Sequence, residues 1–227
     1  TDLTATWDAL QKRGLGGNVI LQLAPGVMNT SLSMGYIPNS LIYSITINGD
    51  NGENAPILQK TATSDADNYI LKLYNTRNLS LTNLAFSAGD AYFSKAIEMQ
   101  RYIKGLLIDN CSFVTPANTQ SNYNSAALYT SGGILDNVQM TNCTVVNLPY
   151  GVNISASQQS DMVNGGFVLD GNTFSNVYQG VYLGYLSAPV VCENIIQDYR
   201  YMGINISSGV SDLSLLANQV CGNGQYG

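Results

Sequence analysis

Histidine is absent from this 227-residue chain, and charge is scarce, with nine Lys or Arg and 15 Asp or Glu making up 11% of the residues. A typical domain carries about a quarter. Without histidine, the side chain that most often moves protons or ligates metals near neutral pH is missing. A net charge of -6 with no basic run argues against nucleic acid or an anionic membrane as partner. No apolar run approaches the roughly 20 residues of a spanning helix, so membrane insertion is not expected. The four cysteines, at 111, 143, 192 and 221, form no Cys-x-x-Cys pair, which leaves neither a zinc motif nor a thioredoxin-like one. No Pro/Gly/Ser-rich linker divides the chain, so residues 1–227 read as a single domain. The first residue is Thr1 and the last Gly227, which suggests a processed or trimmed piece of a longer chain.

Repetition is what the chain has instead. Leu106-Leu107-Ile108-Asp109-Asn110-Cys111-Ser112-Phe113 combines a short apolar strand, a polar corner centred on Asn or Cys, and an apolar residue two places on. Versions of it occur at 81–86, 140–145, 169–174, 191–196 and 215–220. Their closing residues, Phe86, Phe113, Val145, Phe174, Ile196 and Val220, are spaced by 27, 32, 29, 22 and 24 residues. A second strand family begins at Leu71, Ile97, Leu128, Val152, Val181 and Ile204, and its steps of 26, 31, 24, 29 and 23 track the first. Such a unit has no helical pattern and cannot bury its apolar side alone, whereas stacked copies bury it jointly. The expectation is an all-β solenoid of stacked coils over residues 19–220.

Residues 1–14 read as a short amphipathic helix, with Thr4 or Thr6 as N-cap, Leu3, Trp7 and Leu10 on one face, and Gly14 as the stop. It would cover the first coil, whose backbone edge is otherwise open. Strands are expected at 19–26, closed by Pro25-Gly26, then at 44–47, 56–58 and 69–73. Compact corners at 147–151, 176–180 and 198–203 separate the two strand families, and the same corner is enlarged at 87–95 and 115–125. Insertions in solenoids gather on one face, often the binding face. Cys111 and Cys143 hold equivalent places in successive coils, about 4.8 Å apart, and read as stacked free thiols rather than a disulfide.

These residues resemble a right-handed parallel β-helix of the pectate-lyase-like superfamily. The opening Leu21-Gln22-Leu23-Ala24-Pro25-Gly26, the recurring I-x-N-x-x-F pattern and the Asn-centred corner carry the resemblance over nearly the whole chain. It implies an internal asparagine ladder, with Asn172, Asn194 and Asn218 as rungs and Leu84, Cys111 and Cys143 in their place in earlier coils. The opening is also similar to β-helix modules of large secreted Bacteroidetes-type bacterial surface proteins, which implies an extracellular or cell-surface location.

Strand alternation singles out one face. If Ile97, Leu128, Val152, Val181 and Ile204 point inward, Lys72, Glu98, Tyr129, Asn153, Tyr182 and Asn205 point outward. A second outer row is Tyr74, Gln100, Ser131, Ser155, Gly184 and Ser207. Rings among amides and hydroxyls suit a polysaccharide or cell-surface glycan, with Glu98, Tyr129, Asn153, Tyr182 and Asn205 as ligand-binding candidates. Equally, Tyr and Asn can simply cover an exposed sheet. The superfamily's hydrolases group several Asp residues, including an Asp-Asp pair, and this chain has no such pair. A lyase would instead draw on Lys95, Glu98, Arg101 and Tyr129, though a Lys72–Glu98 ion pair between coils is the plainer account. No cofactor is required; Ca²⁺ at Asp50–Asn54 or Asp65–Asn68 is a minor alternative, since neither loop matches a known calcium motif. The favoured reading is a non-catalytic extracellular structural or adhesive module. A polysaccharide lyase or a phage tailspike-type trimer remain as alternatives, and the oligomeric state stays open.

Overall fold

The computed structural model describes residues 2–49, 55–90, 92–116, 121–159 and 164–225. The chain is an all-β parallel solenoid preceded by one helix, as the repeats predict. Each coil lays one strand on each of three faces. Sheet A runs through Val19–Gln22, Ile45–Asn48, Arg77–Thr82, Tyr102–Asp109, Ile134–Thr141, Gly165–Asp170, Val190–Cys192 and Ser214–Leu216. Sheet B runs from Val27–Asn29 to Gln219–Cys221 and includes Ser112–Val114, while sheet C runs from Leu32–Met34 to Met202–Ile206. Neighbouring strands in all three are parallel and in register.

The third face is a correction to the sequence reading. The apolar residue two places beyond each corner is not the end of one strand but the centre of another, in sheet B. These marker residues line up inside the coil as Phe86, Phe113, Val145, Phe174 and Ile196. The Phe86 and Phe113 rings stack at 4.8 Å and 6°. Leu81, Ile108, Met140, Leu169 and Val191 form the matching inner row of sheet A.

The corner itself is two residues long. An outward residue in the left-handed region (Asn83, Asn110, Asn142, Gly171, Glu193, Ala217) turns the chain, with φ between 50° and 64°. Asn tolerates that region better than most side chains because its amide bonds locally. The next residue points inward and forms the ladder. Cys143, Asn172 and Asn194 donate their backbone N–H to the side-chain oxygens of Asn172, Asn194 and Asn218 at 2.9, 3.0 and 3.0 Å. Each amide nitrogen donates in turn to a strand carbonyl: Asn172 to Met140, Asn194 to Leu169 and Asn218 to Val191. Backbone groups at a buried bend would otherwise go unpaired. Leu84, Cys111 and Cys143 occupy the earlier rungs, and the Cys111 N–H reaches the Cys143 sulfur at 3.4 Å. Both thiols are free and buried.

The N-terminal helix spans Leu3–Arg13 and buries Leu3 and Trp7. Its N-cap is Asp2, not Thr4 or Thr6: the Asp2 carboxylate accepts the Thr4 and Ala5 N–H groups at 2.9 and 3.4 Å. The cap falls there because Leu3 is already helical, which leaves both threonines inside the first turns. Gly14 ends the helix at φ 72°, as expected. Glycine at the second position of the later sheet C strands has a steric cause. A Cβ on Gly180 would sit 2.5 Å from the Gly203 carbonyl and 2.6 Å from Ile196, so coils can approach only without one.

Candidate functional site

The outward row predicted on sheet C exists in register: Lys72 beside Glu98, then Tyr129, Asn153, Tyr182 and Asn205. Its exposure differs from expectation. Glu98 and Tyr129 are each only 8% exposed and Asn153 6%. The described parts of the two enlarged corners, 87–90, 92–95 and 121–125, fold down over this part of the face. Their polar side chains tie them together: Asn122 and Ser125 donate to the Tyr92 carbonyl. Asn68 accepts the Lys95 N–H at 2.8 Å and donates to the Asn124 carbonyl at 3.1 Å. The same loop also reaches the row. Tyr129 donates its hydroxyl to Asn124 at 2.9 Å, and Asn153 donates its amide to the Tyr123 carbonyl at 2.7 Å.

Beneath this cover lies a charge cluster. The Glu98 carboxylate holds the Lys95 ammonium at 3.0 Å through one oxygen and the Lys72 ammonium at 3.4 Å through the other. Lys95 also sits 4.5 Å from the centre of the Tyr129 ring, and Lys72 4.2 Å from that of Tyr69, both within cation–π range. Lys95, Glu98 and Tyr129 are thus brought together. Arg101 is set apart at the next corner, exposed, with its guanidinium 5.1 Å from the Tyr74 ring. It and Glu98 border a shallow groove of about 250 Å³ with Gln100, Ser131 and Gly132. Glu98 is the only carboxylate among the residues lining that groove. Glycoside hydrolysis uses two. Both Glu98 oxygens and the Tyr129 hydroxyl are engaged by the protein's own groups.

Further along, the face opens. Tyr182 and Asn205 are half-buried, and Tyr182 packs against the Ala126, Tyr129 and Tyr150 cluster. Beside them runs a line of rings that the sequence reading did not assign. Tyr123 and Tyr150 have centroids 5.4 Å apart, Tyr150 and Tyr178 6.2 Å, and Tyr178 and Tyr201 5.3 Å with planes within 13°. Burial first, and then the neighbouring Tyr123, raises the Tyr150 phenol above its ordinary range. The signal was available: a tyrosine stands within each compact corner, at 150, 178 and 201. Asn147, Asn176 and Arg200 form an outer ladder at the same corner, with bonds of 2.6 and 3.0 Å.

The calcium candidates divide. Asp50–Asn54 lies outside the described residues. At Asp65–Asn68, the Asp67 carboxylate accepts from Ser64 and Thr63 and pairs with Lys60 at 3.4 Å, which holds it below the usual carboxylate range. Among the described residues no three His, Cys, Asp or Glu side chains group together, and no helix is long and apolar enough to cross a membrane.

The chain is similar over 96% of its length, and over 81% of theirs, to two structures of the pectin methylesterase of Aspergillus niger, one deglycosylated and one penultimately so. Each has a TM-score of 0.52 and 14% identity, a likeness that shows the fold alone. No curated protein matches the chain. Residues 83–227, well over half of the chain, match the family described as periplasmic copper-binding protein (NosD). That is a periplasmic family, not the surface adhesins that the opening suggested. The chain belongs to the NosD family.

Proposed function

We propose that this chain is a non-catalytic, extracytoplasmic β-helix module that binds a glycan along the open half of sheet C. One observation carries the reading: Tyr178 and Tyr201, both half-buried, stack ring beside ring across adjacent coils at 5.3 Å and 13°, with the buried Tyr150 ring backing Tyr178 at 6.2 Å. A pyranose offers C–H faces that pack on aromatic rings, and hydroxyls for amides to orient. Tyr182 and Asn205 stand beside that line, half-accessible. The periplasmic description of the family supports the location. Its copper finds little to match here, since the chain has no His and no grouped donors among the described residues.

The test is an array of neutral and acidic oligosaccharides, followed by calorimetric titration of each hit against the wild type and Tyr178→Ala. Binding that weakens about tenfold in the variant supports the site, a loss typical of removing one interface ring. An array without hits would leave a scaffold role. Release of unsaturated products from a uronate polymer, abolished in Glu98→Ala, would move the assignment to a lyase.

A further inference from the structure

We infer that this member of the family carries no copper site on its coil, and that its paired sulfurs are rungs of the hydrogen-bond ladder. The inference rests on donor chemistry and is independent of the glycan reading. Copper is held by imidazole, thiolate or thioether ligands, usually several converging on one point. Imidazole is absent from the entire sequence. Of the thioethers, Met34, Met99 and Met140 are 1% exposed or less, packed within the apolar core, Met28 and Met202 are half-buried on strands of the first and of a late coil, far from each other in the stack, and Met162 lies outside the described residues.

The thiols are the remaining donors, and each has other work or no company. Cys111 and Cys143 are 2% and 1% exposed, in adjacent coils. Their sulfurs already face backbone: Cys143 donates to the Thr141 carbonyl at 3.1 Å and accepts the Cys111 N–H at 3.4 Å. Cys111 donates to the carbonyls of Asp109 and Leu81 at 3.4 and 3.5 Å. Cys143 thus has the contact set of a ladder residue, one acceptor for the preceding coil's N–H and one donor for a strand carbonyl, and Cys111 has the donor half of it. A metal needs the thiolate, and the bond with Cys111, reinforced by burial, holds the Cys143 proton well above the ordinary thiol range. Cys192 lies on sheet A and donates to Asp170 at 3.2 Å; burial and then that bond push its thiol up to about 11. Cys221 is exposed on the last strand of sheet B, and it belongs to no group of three His, Cys, Asp or Glu side chains among the described residues.

The experiment is an anaerobic titration of the reduced native protein with Cu(I) in the presence of a chromophoric Cu(I) chelator, repeated with Cu(II) by equilibrium dialysis. The expected result is that the chelator keeps its copper, apart from at most one weakly held equivalent that disappears in Cys221→Ser. A stoichiometric equivalent that competes with the chelator and persists in Cys221→Ser would overturn the inference. Cys111→Asn/Cys143→Asn sharpens the ladder half without relying on metal. Side chains doing rung work should be replaceable by amides, so the double variant is expected to fold with a melting temperature within a few degrees of wild type. Loss of bound copper in a folded double variant would show that the sulfurs are ligands after all.

Discussion

Sheet C is one continuous structure with two characters. In its middle coils Glu98, Tyr129 and Asn153 are sealed under the chain's own loops, and every charge there has an internal partner. One and two coils beyond Asn153, Tyr182 and Asn205 occupy the same row half-buried, and Tyr178 and Tyr201 flank them. Identical register therefore yields different exposure, and insertion length at the corner decides which. The covered half is occupied by the chain's own loops, and the other half has surface left.

The largest expected effect falls in the covered half. Glu98→Ala strands the Lys95 and Lys72 ammoniums against each other, and breaking such a buried pair costs about 3 kcal/mol. Urea denaturation should show that loss, with glycan affinity in the folded fraction unchanged; a stability equal to wild type would mean the cluster is not sealed. Next is Tyr178→Ala, expected to weaken glycan binding about tenfold, or about 1.4 kcal/mol. If binding instead fell in Glu98→Ala and not in Tyr178→Ala, the assignment of the two halves would be reversed. Tyr129→Phe removes a single bond to Asn124 and should cost about 1 kcal/mol by the same denaturation measurement. Smallest is Arg101→Gln at the boundary, where an exposed cation resting on Tyr74 should shift the melting temperature by no more than about 0.5 kcal/mol implies.

The sequence disclosed the inside of this molecule better than its outside. Spacing alone located the inner rows, because each marker from Phe86 to Val220 has to stack on its predecessor, and a stacked core tolerates little drift in register. The ladder was legible for the same reason: Asn172, Asn194 and Asn218 recur where a buried bend needs both a donor and an acceptor. Apart from the one expected at 56–58, the sheet B strands were not read as strands because they are three or four residues long, too short for alternation to show. The burial of Glu98 was missed because it depends on where the loops at 87–95 and 115–125 come to rest, and that is set by contacts such as Asn122 to Tyr92 that no periodicity encodes. Tyr150, Tyr178 and Tyr201 were visible as letters, but they were read as turn residues when their rings also pack in a line, Tyr150 buried and the other two half-accessible.

The ladder also gives the solenoid a direction. From Cys143 through Asn172 and Asn194, each rung's backbone N–H points to the side-chain oxygen of the next coil, so the amide dipoles line up head to tail along the axis. Bonds arranged in series polarise one another, so each rung is strengthened by those beyond it. Opening the array should then resemble unzipping rather than melting. Asn218, half-buried in the last rung, should release first, and hydrogen exchange should slow coil by coil toward the sulfur-bearing rungs.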